Sequence, residues 1–73
     1  MKKIYKLEDL DCAHCAAKME KAIAKLSGVE SASISFLSQK LTITFAEGAE
    51  IDSVMKEAAA ICKKIEPDCR IIL

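Results

Sequence analysis

Cys12 and Cys15 stand two residues apart, preceded by Asp11 and set directly before the run Ala16-Ala17-Lys18-Met19-Glu20. These residue types at this spacing read as a metal-binding loop. Two sulfurs so placed can turn toward one point, and zinc accepts thiolates at about 2.3 Å. A helix beginning at about His14 adds to this, because its first turn has unpaired backbone N–H groups and partial positive charge. Both features favour ionised sulfur, so the pKa of Cys12 and of Cys15 is expected to fall, and thiolate is the form that binds metal.

The loop needs elements on either side. Ile4 to Leu7 is short and apolar-rich and reads as a strand leading into it. Ala16, Met19, Ile23 and Leu26 then fall at helical spacing, and Ser27-Gly28 ends that segment. Ala32, Ile34 and Phe36 alternate with serines, and Leu41, Ile43 and Phe45 with threonines across the polar turn Ser38-Gln39-Lys40, which predicts a hairpin with one buried face. After Glu47-Gly48-Ala49, the residues Ile51, Val54, Met55, Ala58, Ile61, Cys62 and Ile65 keep to one face of a second helix. Pro67 stops it, and Cys69, Ile71 and Leu73 mark a last short strand. Strand, helix, strand, strand, helix, strand is the order of an α+β, ferredoxin-like βαββαβ sandwich: a four-stranded antiparallel sheet with both helices on one face. In that topology the last strand lies beside the first. Cys62 and Cys69 are therefore expected near the end of the molecule that carries Cys12 and Cys15.

Size and composition exclude several classes. At 73 residues and 52% hydrophobic, the chain reads as one domain, 1–73, near the lower limit for independent folding. No apolar stretch approaches the roughly 20 residues needed to cross a bilayer. The charges of Lys2, Lys3, Lys6, Glu8 and Asp9 break up any signal-peptide core, so a cytosolic, reducing location is expected, without membrane contact by this segment. Four cysteines in so regular a pattern point to metal or redox chemistry rather than a disulfide scaffold. A net charge of zero with three aromatic side chains speaks against nucleic acid.

Leu10-Asp11-Cys12-Ala13-His14-Cys15, between the first strand and first helix of a βαββαβ chain, resembles the heavy-metal-associated domain. The likeness covers nearly the whole chain. That family's usual pattern is Gly-Met-Thr-Cys-x-x-Cys; here Asp9, Leu10 and Asp11 stand for the Gly, Met and Thr. The resemblance implies that Leu10 packs under the loop and that Cys12 and Cys15 carry the metal. Asp11 adds a hard oxygen and a further negative charge, which suits Zn²⁺ and is tolerated by Cd²⁺ and Pb²⁺, whereas Cu⁺ gains little from it. The plainer role for Asp11 is a helix N-cap. Within the family, Asp-Cys-x-x-Cys and the tail from Ile61 to Cys69 look like amino-terminal domains of zinc-, cadmium- and lead-transporting P-type ATPases. The implied function is binding a metal and handing it on by ligand exchange to other ATPase domains or a metallochaperone. Catalysis is not expected of this segment. A free-standing copper or mercury metallochaperone is the alternative, and a thiol–disulfide oxidoreductase the rival from another class.

Other residues are candidates for completing the ligand shell. Cys62 lies on the apolar stripe of the second helix, where a small core side chain is the plain reading, and Cys69 and Glu66 are further candidates at the same edge, with Asp68 behind them. His14 is expected to point outward. Lys18, Lys21 and Lys25 form a basic stripe that begins beside the loop, fit to steer docking on an acidic partner surface. The domain is expected to be a monomer, with an exposed two-thiolate site that two copies can bridge through one ion.

Overall fold

The computed structural model describes all residues, Met1–Leu73. Six elements follow the expected order: β1 (Lys2–Glu8), α1 (Ala13–Ala24), β2 (Val29–Ser35), β3 (Lys40–Phe45), α2 (Ile51–Ile65) and β4 (Arg70–Ile72). The strands form one sheet in the order β2-β3-β1-β4, with every neighbouring pair antiparallel. This is the ferredoxin-like sandwich that the alternation of periods predicts.

The period-two pattern decides which face is covered. Leu41, Ile43 and Phe45 of the central strand β3 are buried, while Lys40 is exposed and Thr42 and Thr44 are only partly covered. Met19 and Ile23 of α1 and Val54, Met55, Ala58 and Cys62 of α2 close over that face. No polar or charged residue lies in the core. The edge strand β2 is covered less: Ala32 and Ile34, and Phe36 just after the strand, are half-buried. The Glu20 carboxylate, reaching from α1, accepts the Ile34 N–H at 2.7 Å and occupies one donor of that strand.

Two positions show why the chain turns where it does. Gly28 has φ +91°, and a Cβ there would lie 3.2 Å from both Ala49 Cβ and Val54 Cγ2, so the α1–β2 turn needs glycine on both counts. Asp9 ends β1 at φ 59°. That left-handed backbone accounts for glycine being usual at this place in the family's pattern, and aspartate is among the few L-residues that adopt it readily.

The strand at the end is shorter than its alternation suggests. β4 pairs with β1 at Lys6↔Ile72, Leu7↔Ile71 and Glu8↔Arg70 only. Cys69 is buried just before β4, while Leu73 is 77% exposed because it lies past the last paired residue. Arg70 and Glu8 meet across the pair at 2.7 Å. Being solvent-exposed, that bridge contributes at most about 1 kcal/mol.

Candidate metal centre

Three segments build the site at one end of the sandwich. The first is the turn out of β1, where Leu10 is buried to 2% and pins the loop to the core. The second is the start of α1. Cys12, not Asp11, is the N-cap: its backbone is extended (φ −126°, ψ 114°), and its Sγ accepts the Cys15 N–H at 3.1 Å. The helix begins at Ala13, one residue earlier than its periodicity suggests. The third segment is the α2–β4 connection, where Glu66 Oε1 accepts the Asp11 N–H at 3.1 Å.

The two thiols of the loop are not equivalent. Hydrogen bonds from the Cys15 side chain and backbone, joined by the His14 N–H, hold Cys12 below the usual thiol range. Cys15 goes the other way, up to about 11, first because its own proton is engaged with Cys12 and then through desolvation and the Cys12 and Glu66 charges; Lys18 pulls it partly back. The expectation that the helix N-terminus lowers both pKa values therefore holds for Cys12 and fails for Cys15. Adjacent sulfurs share one favourable environment, and stabilising the first thiolate disfavours the second. Both sulfurs belong to half-buried residues, within reach of an incoming ligand.

A profile of the heavy-metal-associated domain matches residues 4–69. The chain belongs to that family. It is 33% identical over 67 residues to a probable cadmium-transporting ATPase of Staphylococcus aureus, spanning 92% of this chain but 8% of that relative. It is also 36% identical over 56 residues to the copper chaperone CopZ of Staphylococcus epidermidis, spanning 77% of this chain and 82% of that one. A solved CopZ metallochaperone superposes with a TM-score of 0.76 at 21% identity, over 99% of this chain and all of the other, which bears on the fold alone.

Within this heavy-metal-associated domain the other candidates are distributed unevenly. Asp11 and His14 are exposed, His14 as expected. Since Cys12 caps the helix, the plain N-cap role for Asp11 does not apply. Glu66 lies close enough to oppose ionisation of Cys12, Cys15 and Cys69. Its second oxygen, Oε2, is buried with no hydrogen-bond partner. Cys62 and Cys69 lie at the same end, as the topology requires, but in the core beneath it (1% and 2% exposed). No three His, Cys, Asp or Glu side chains converge as a ready-made ligand set. No helix is long and apolar enough to cross a membrane.

One residue of the site carries no signal in the sequence, where it reads only as part of a polar turn. Gln39, at φ 55° in the β2–β3 turn, donates from Nε2 to the Leu10 carbonyl at 2.9 Å and to the Phe36 carbonyl at 2.8 Å, while its Oε1 accepts the Leu10 N–H at 3.1 Å. Both backbone polar groups of Leu10 thus depend on one side chain. Gln39→Ala leaves them unpaired and is expected to lower stability by about 1–3 kcal/mol. Amide hydrogen exchange at Leu10 should quicken more than at Ile43; equal protection in both proteins would remove Gln39 from this role.

Proposed function

We propose that this domain binds a divalent thiophilic cation, Cd²⁺ or Zn²⁺ with Pb²⁺ also accommodated, through Cys12, Cys15 and the Asp11 carboxylate, and passes it on by ligand exchange. The observation that carries the reading is the Cys12–Cys15 pair at the start of α1. One sulfur is held toward thiolate, the backbone N–H of Cys15 donates to it, and both sulfurs are open to a partner. Shallow placement suits transfer, because an acceptor's thiolate can enter before the donor's leaves. Glu66, with an unpartnered oxygen beside the sulfurs, is the further oxygen ligand we favour; Cys62 and Cys69 are buried beneath. Asp11 supports a divalent ion over Cu⁺ because hard carboxylate oxygen adds more to binding of the former.

The relatives named for cadmium transport support placing this segment at the amino terminus of a metal-translocating P-type ATPase. There it would be non-catalytic and face the cytosol, receiving or sensing metal while other domains hydrolyse ATP. The stripe of Lys18, Lys21 and Lys25, all exposed, suits an acidic docking surface on such a domain or on a metallochaperone. A free-standing chaperone for copper is the second reading, favoured by one observation: this chain spans 82% of the S. epidermidis CopZ that it resembles.

A competition titration of the reduced protein with Zn²⁺, Cd²⁺ and Cu⁺ separates the two. Asp11→Ala is expected to weaken Zn²⁺ and Cd²⁺ by roughly 10–100-fold, the scale of effects seen around metal sites, and to spare Cu⁺. An unchanged Zn²⁺ affinity, with Cu⁺ preferred far beyond its general liking for thiolates, would make this a copper-handling domain.

A further inference from the structure

The helices cover one side of the sheet and leave the other bare. Leu7 and Leu41 are buried toward the helices, so by alternation Lys6 and Lys40 stand on the bare side, and both are exposed. The β1–β3 register sets these two lysines directly opposite each other. The Leu7 N–H turns to the β3 side, where it donates to the Gln39 carbonyl at 2.8 Å, so Lys6 turns its own N–H away. Lys6 and Lys40 are therefore a non-hydrogen-bonded pair, the kind with Cα atoms about 4.5 Å apart and side chains closest. Like charges so placed weaken a sheet. Ser35 stands beside Lys40 on β2 and Ile72 beside Lys6 on β4, while Ser33, Thr42 and Ile4 form the next row. Lys2, opposite Thr44, adds a third cation. The one carboxylate on this side, Glu8, is taken by Arg70 in the only ion pair of the fold, so the three lysines have no counter-charge.

We propose that the bare sheet face is a second docking surface, fitted to a protein surface that carries neighbouring carboxylates with apolar side chains beside them. Two lysines held together cost the free fold stability and return nothing within it. Carboxylates laid over that row offset the repulsion, with the Ser33, Ser35 and Thr42 hydroxyls as further donors. The apolar content decides against a small free anion. Ile4 is 62% exposed and Ile72 41%, one on each side of Lys6, and a protein surface covers both where a lone anion leaves them wet. A bilayer surface fits less well, because interfacial binding draws on a broad apolar face, and here two isoleucines stand among hydroxyls and ammonium groups. The same face of a second copy would set lysine against lysine. Four strands at about 4.8 Å and six residues at about 3.3 Å give roughly 400 Å². That is about half of what each partner gives to a standard complex, so the contact is weak and salt-sensitive.

Docking there leaves the rest of the molecule clear. Lys18, Lys21 and Lys25 belong to the helix layer, and Cys12 and Cys15 to one end of the sandwich. One acidic partner can hold the domain by its sheet while another reaches the thiols. That consequence rests on the metal-binding reading; the surface itself does not.

The test titrates a peptide of three Glu-Glu-Leu repeats into the reduced, isotope-labelled protein and follows the amide resonances. Saturable shifts at Ser33, Lys40 and Thr42 are expected, weakened several-fold in Lys6→Gln/Lys40→Gln and by added salt. Cd²⁺ affinity should be unchanged in that variant, which keeps this surface separate from the metal site. Lys40→Glu converts the repulsive pair into an attractive one, so it should raise the urea midpoint of the free protein while removing the peptide shifts, and a lost contact then cannot be a lost fold. Shifts confined to α1, full binding by Lys6→Gln/Lys40→Gln, or a midpoint that does not rise in Lys40→Glu would each overturn the proposal. Co-sedimentation with phosphatidylglycerol vesicles that the double variant abolishes would assign the face to a bilayer instead. Self-association that the same variant abolishes would assign it to a second copy of the chain.

Discussion

Cys12→Ser is expected to lower Cd²⁺ affinity by on the order of 10²-fold or more, and Cys15→Ser by as much. Structural zinc sites bind with about 10–16 kcal/mol shared among four ligands, so each thiolate accounts for roughly 3 kcal/mol. A site with two thiolates has no spare. The inequivalence of the thiols adds a proton signature. Binding requires Cys15 to give up a proton that it holds up to about 11, whereas Cys12 sits below the usual thiol range. Above the Cys12 pKa one proton leaves per ion bound; below it two leave. The apparent affinity should therefore rise with pH up to about 11, where Cys15 ionises, with a slope near one above the Cys12 pKa that steepens toward two below it. Calorimetry in buffers of different ionisation enthalpy counts those protons directly. A release near zero at neutral pH would mean that both sulfurs are already ionised, or that the ion is held by other groups.

That prediction draws on a feature visible in the sequence and on one that was not. The Cys-x-x-Cys spacing, the adjoining helical period and the alternation of Leu41, Ile43 and Phe45 are local patterns, and local patterns survive in a single sequence. They were enough for the element order, the sheet face and the loop. What could not be read is set by tertiary contact. Gln39 reaches Leu10 across 29 positions of chain, and nothing about a glutamine in a turn announces that its side chain will serve another loop's backbone. The same holds for Glu66, which was visible as a candidate ligand but not as the acceptor for the Asp11 N–H. The opposed shifts of Cys12 and Cys15 depend on which sulfur caps the helix, a matter of one residue in where α1 begins, and helix ends are the least determined part of any periodic pattern. The topology puts Cys62 and Cys69 at the site's end of the fold, but how deep each thiol lies beneath the loop is not encoded in spacing.

Phe45→Ala is expected to cost about 3–5 kcal/mol of folding free energy. The side chain is 2% exposed and belongs to the single core cluster of 13 buried residues, so its removal leaves a cavity in a core that has few residues to relax into it. A domain of this length has about 4–11 kcal/mol of stability in total, so the loss is a large share of it. Position matters as much as size. Phe45 lies at the far end of β3 from the metal loop: its N–H bonds the Met1 carbonyl, whereas the loop end of that strand is tied through Gln39 to Leu7. The variant should therefore unfold at much lower urea concentration yet gain as much as wild type from added metal, about 2.7 kcal/mol at one hundred times Kd for a ligand that binds only the folded state. Equal increments in parallel urea titrations with and without Cd²⁺ would show that core and site act as separate contributions. A smaller increment in Phe45→Ala would show instead that packing at the far end of the sheet governs the geometry of Cys12 and Cys15.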